Sequence, residues 1–151
     1  FKQKTAYEML RSLVGSEMCI RDRFTMNALL LAAHGSRKES SNAEVKQLAF
    51  QMQRLTDGKF DLVKHGFLEL AEPSIPGAID DCVKCGATHI TVVPYFLAAG
   101  RHVTEDIPEE IAIGQKNNPD VNITVSGYLG ARSEIAELLI KAAVYSQGGR
   151  Q

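Results

Sequence analysis

Residues 28–37 read ALLLAAHGSR. The apolar run Ala28–Ala33, broken at once by His34 and Gly35, describes a short strand covered on both faces that exits sharply into a polar loop. Strands of that kind belong to parallel sheets sandwiched between helices. After the flexible stretch Gly35–Ser41, apolar residues recur at helical spacing over Ala43–Leu55: Val45, Leu48, Ala49, Met52 and Leu55. Asp57-Gly58 ends that helix.

The alternation continues downstream. Phe60–Leu68 reads as a second strand. Pro73, Ser74 and Pro76 open a helix through Val83, with Gly86 as its stop. His89–Pro94 (HITVVP) is a third strand, rich in β-branched residues. The loop Tyr95–His102 leads to a helix over Thr104–Gln115, and Val121–Ser126 is a fourth strand. Ser133 is a suitable N-cap for a last helix, Glu134–Tyr145, and the tail Gln147–Gln151 is expected to fray. The fold class is therefore α/β: a three-layer sandwich with a four-stranded, mainly parallel sheet, right-handed crossovers and helices on both faces.

Bulk properties bound the function. The chain has 151 residues, which suggests one domain, and 44% of them are hydrophobic, enough for a core. A formal charge of −1 argues against a nucleic-acid binder. No apolar run approaches the ~20 residues needed to cross a bilayer, so no membrane role is expected. Three unevenly placed cysteines do not make a disulfide framework, which favours a reducing, cytoplasmic setting.

Residues 1–25 read differently from the rest. Lys2–Glu8 (KQKTAYE) is what AAG CAG AAG ACG GCA TAC GAG encodes, a sequencing-adapter string, and Leu13–Asp22 resembles a second adapter read in frame. A secretory signal is a poor match, because charges and Gly15 interrupt Tyr7–Ile20, and Glu8, Glu17 and Asp22 spoil a mitochondrial presequence. Residues 1–25 are read as a non-native, irregular extension, and 26–151 as the domain, starting naturally at Met26.

In open α/β sheets ligands bind beyond the carboxyl ends of the strands. That rule selects the loops His34–Ser41, Glu69–Pro76 and Tyr95–His102, and it sets His34, Glu72 and His102 along one rim. Either histidine alone could be a capping or surface residue. Together, neutral imidazoles suit iron, cobalt, nickel or zinc, and an imidazole also accepts a proton near neutral pH. The small residues Ala98, Ala99 and Gly100 leave room for a flat ligand against the main chain. Glu72 could meet such a ligand or simply favour a helix start, and Glu69 reads as structural. Arg37, Arg101 and Arg132 could fork onto carboxylates or remain solvated. His65 and His89 read as packing or edge residues. Cys82 and Cys85 form a Cys-x-x-Cys pair at a helix end, the wrong place for a reactive thiol, and with no second pair for zinc.

The blocks AHGSR, FLELAEPSIPGAI and VVPYFLAAGRHVTEDIP resemble those of the CbiX/SirB sirohydrochlorin chelatases, over nearly all of Met26 to about Tyr145. The resemblance implies a chelatase-like fold and insertion of Co2+ or Fe2+, as substrate, into sirohydrochlorin on the routes to cobalamin and sirohaem, with no permanently bound cofactor. It implies that His34 takes protons and binds metal, and that His102 binds metal. It also implies that Glu72 contacts the tetrapyrrole and that Leu97, Ala98, Ala99, Gly100 and Arg101 form the substrate loop. Some short members carry a histidine where Ala99 stands, or a His-rich metal-storage insert. Neither is present. Larger chelatases of this class resemble two fused copies of such a unit, so a homodimer with facing rims is expected. Two rival readings are a non-catalytic tetrapyrrole or metal carrier and a histidine phosphatase. The latter wants arginine immediately before the histidine, where Ala33 stands.

Overall fold

The computed structural model describes residues 25–148, and the readings made for 1–24 and 149–151 lie outside them. The order is β1 (Asn27–Ala33), α1 (Glu39–Leu55), β2 (Leu62–Phe67), α2 (Ile75–Lys84), β3 (His89–Pro94), a π-helical turn (His102–Asp106), α3 (Ile107–Asn117), β4 (Asn122–Val125), a 3₁₀ turn (Leu129–Ala131) and α4 (Glu134–Gly148). The four strands form one sheet in the order β2-β1-β3-β4, and every pairing is parallel.

Alternation along the strands divides the core in two. Ala28, Leu30 and Ala32 of β1, with Ile90 and Val92 of β3, face α2 and α3, which supply Ile75, Ala78, Ile79, Cys82, Ile107 and Ile111. Leu29, Leu31 and Val63 face the other way, against Val45, Leu48, Ala49 and Met52 of α1. Helices therefore cover both faces, as the sequence predicts. Gly114 lets α3 approach α2, since a β-carbon there would run into Ile79.

Local chemistry sets the helix starts. The Ser74 hydroxyl accepts from the Gly77 amide at 3.1 Å and caps α2, with Pro76 in its first turn. α1 starts at Glu39, earlier than the apolar spacing indicates. Buried Asn42 accepts from the Ser36 amide at 2.9 Å and donates to the Ser36 carbonyl at 2.8 Å, which ties the preceding loop onto the first turn. α4 belongs to neither core cluster, and its Leu138, Leu139, Ile140, Val144 and Tyr145 are exposed. The Ser133 hydroxyl bonds the Glu134 carboxylate. No helix among the described residues is long and apolar enough to cross a membrane.

β1 and β3 are neighbours in the sheet; the chain leaves β1 toward β2 on one side and leaves β3 toward β4 on the other. This is the topological switch point at which a parallel sheet opens a crevice.

Candidate functional site

His34 stands where β1 ends. Gly35 turns the chain with φ of 95°, a left-handed conformation that suits glycine. A β-carbon at Gly35 would also press into the Glu69 carbonyl. The β1–β2 ladder continues past the strands: the Leu68 amide donates to the Ala33 carbonyl at 2.8 Å, and the Glu69 amide to the His34 carbonyl at 3.0 Å. That continuation brings Glu69 beside His34, with His34 Nε2 3.0 Å from Glu69 Oε1.

On the other side, the Tyr95 amide donates to the Ala32 carbonyl at 2.7 Å and holds the end of β3 against β1. The loop after it delivers His102 to His34. Their ring centroids lie 4.6 Å apart, edge to face at 65°. Phe96 lies beside His102 with ring centroids 6.3 Å apart. His102 Nδ1 is 2.8 Å from Asp106 Oδ2, one turn on.

These contacts limit which ring nitrogens can donate. His34 Nδ1 lies 2.8 Å from the Gly35 carbonyl, which can only accept, so Nδ1 carries a hydrogen. Nε2 lies 3.0 Å from a Glu69 carboxylate oxygen, close enough for the two to share a proton. His102 donates through Nδ1 and leaves the Nε2 lone pair uncommitted. The His34 and Glu69 side chains are 38% and 54% exposed, open enough to exchange protons with water. Imidazole nitrogens bind a divalent ion at about 2.1 Å; His102 can offer its Nε2 directly, and His34 can offer its own once no proton is held between it and Glu69. Among the described residues no group of three or more His, Cys, Asp or Glu is already arranged around a metal position.

The remaining site candidates divide. Leu97, Ala98, Ala99, Gly100 and Arg101 form an exposed loop leading directly to His102. It is stitched to the turn after β4, because the Gly130 amide donates to the Phe96 carbonyl at 2.9 Å and Gly130 abuts the Leu97 backbone. Arg101 Nε donates to Glu105 at 3.0 Å, and Arg132 to Glu134 at 2.8 Å. Arg132 and Ser133 together hold the Glu134 carboxyl down at about 2. Arg37 is exposed. Glu72 is exposed and, among the described residues, joins no ion pair. The carboxylate at His34 is thus Glu69, which the sequence reading treats as structural. Extending the parallel register one step past Ala33–Phe67 pairs His34 with Leu68, and Glu69 is the next residue, its amide bonded to the His34 carbonyl. Asp106 was also missed, though the i,i+4 spacing from His102 was legible.

The other singled-out residues are structural. Cys82 is buried, and burial pushes its thiol up to about 12, while Cys85 is exposed at the end of α2. His65 packs edge-on against Phe67 with ring centroids 5.3 Å apart, and His89 Nδ1 bonds the Thr88 hydroxyl.

Residues 28–144 match the family model CbiX. The chain is 39% identical over 93 residues to a sirohydrochlorin cobaltochelatase of Methanocaldococcus jannaschii, covering 62% of this chain and 64% of that protein. It is 36% identical over 110 residues to the sirohydrochlorin ferrochelatase of Bacillus subtilis, covering 73% of this chain and 41% of that one. The chain therefore spans less than two thirds of the length of either relative. Among solved structures, a cobalamin biosynthesis CbiX protein from Marinobacter aquaeolei superimposes with a TM-score of 0.68 at 28% identity, over 83% of this chain and 99% of that one. The sirohydrochlorin chelatase SirB from Bacillus subtilis subspecies spizizenii, in complex with cobalt, gives 0.64 at 35% identity, over 75% of this chain and 47% of that one.

Proposed function

The chain belongs to the CbiX family, and from that premise we propose that it is a sirohydrochlorin chelatase, inserting Co2+ or Fe2+ into the macrocycle on a route to cobalamin or sirohaem. The single observation that supports this best is the His34–His102 pair, with rings 4.6 Å apart at the sheet's switch point and a carboxylate on His34. Metal insertion needs a site that holds a divalent ion loosely and a base that takes the two pyrrole N–H protons. His102 offers a lone pair on Nε2. His34 and Glu69 form the base: once the proton between them leaves to water, the pair accepts a pyrrole proton and passes it to solvent by the same route. The second pyrrole proton follows the same path.

The macrocycle lies over Leu97–Arg101, with Glu72 free at the rim to meet it. The metal is substrate, and the mechanism uses no resident cofactor. One unit offers one rim, so we place the working form as a homodimer with facing rims, acting in the cytoplasm through residues 26–151. The experiment is to supply sirohydrochlorin and Co2+ or Fe2+ in large excess over protein and follow the metallated product by absorbance. Many turnovers per chain are expected. Product limited to one per site would support a carrier instead.

A further inference from the structure

Both histidines have an acceptor at Nδ1, but of different kinds. His34 gives its Nδ1 hydrogen to a backbone carbonyl, that of Gly35, at 2.8 Å. His102 gives its own to the Asp106 carboxylate, also at 2.8 Å. We propose that Asp106 is the positioning residue of the site: it fixes His102 with Nδ1 protonated and Nε2 turned out as the metal-binding atom, and its charge makes that nitrogen the stronger donor. The proposal rests on the reading that His102 handles the metal.

The local structure is built to hold this contact. His102–Asp106 is a π-helical turn, closed by the Ile107 amide bonding the His102 carbonyl. Side chains four apart on such a turn lie side by side. Ile107, 1% exposed, anchors the turn to the core directly after Asp106. The neighbouring carboxylate, Glu105, is committed to Arg101 on the outer surface and does not compete. Asp106 is also the least exposed of the carboxylates around the site, at 32% against 54% for Glu69 and 58% for Glu105. An ionised carboxylate can only accept, so the imidazole proton is confined to Nδ1. Carboxylate partners of this kind orient metal-binding histidines and raise their basicity.

The test is a cobalt titration of the protein without tetrapyrrole, read in the visible spectrum, together with the His102 tautomer read by 15N NMR. Asp106→Asn is expected to weaken Co2+ binding about 10–100-fold. Asp106→Glu, which keeps an anionic oxygen within reach, should restore most of it. In a His102→Ala background, Asp106→Asn should add nothing. The unaltered protein should show His102 protonated at Nδ1. Cobalt affinity equal to the parent's in Asp106→Asn overturns the proposal, as does a His102 proton on Nε2 in the unaltered protein or no measurable cobalt binding by the parent. The titration needs no sirohydrochlorin. A parent that binds cobalt, loses it in Asp106→Asn and never turns over would sink the chelatase reading and leave the positioning role standing.

Discussion

Gly35 adopts φ of 95° with its α-carbon against the Glu69 carbonyl, and this close approach allows the ladder to run on into His34 and Glu69. Gly35→Ala adds both a strained conformation and a collision. It is expected to destabilise the fold by about 1–3 kcal/mol, seen in thermal unfolding, and to lower activity by moving Glu69 off His34. The carboxylates can be told apart in the same way. Glu69→Gln leaves His34 Nε2 an oxygen acceptor but removes the carboxylate that can take its proton, and is expected to lower kcat by about 10²-fold or more. Glu72→Gln should leave kcat within a few-fold of the parent and act on KM alone. The histidines were legible in the sequence because each sits where an apolar run meets small or flexible residues. Glu69 was not, because its role depends on cross-strand register, and its local surroundings in FLELAEP read as an ordinary strand exit.

The strands and most helices could be read from the sequence pattern, since Ala28–Ala33 is a continuous apolar run and His89–Pro94 is rich in β-branched residues. The π-helical turn could not: Thr104 was predicted to lie in an α-helix, and nothing in composition distinguishes a turn with one more residue from a regular one. The Leu97–Arg101 loop shows how elements cooperate. Gly130 of the 3₁₀ turn abuts Leu97, so Gly130→Ala must push the loop away, and a raised KM for sirohydrochlorin is expected with little change in cobalt affinity. Within β2, burial first, then Lys46 and Lys64, lower the pKa of His65. The folded state resists protonating it, so below its ordinary value of 6.5 the unfolded chain binds more protons. Stability is expected to fall as pH drops from 6.5 through the lowered native value, and His65→Gln should flatten that fall in the thermal midpoint.

At the scale of the whole molecule, the parallel sheet collects three strand exits on one edge and brings His34, Glu69 and His102 together from three separate segments. The layering followed from the alternation of strand and helix signals. α4 did not, because its sequence, polar mainly at Glu134, Glu137 and Lys141, suits a buried helix, yet its large apolar side chains stand exposed. Under the proposed function a single unit provides one rim for a broad, flat macrocycle, so a dimeric mass is expected in light scattering under assay conditions. A strictly monomeric protein with full activity would rule out the facing-rim arrangement. Under the proposed function His34 and His102 together insert the metal. The most direct measurement is the initial rate of sirohydrochlorin metallation by the parent, His34→Ala and His102→Ala, with folding of each verified. Multiple turnover by the parent and a fall of about 10²-fold or more in both variants is the expected result, and full activity in both folded variants would contradict it.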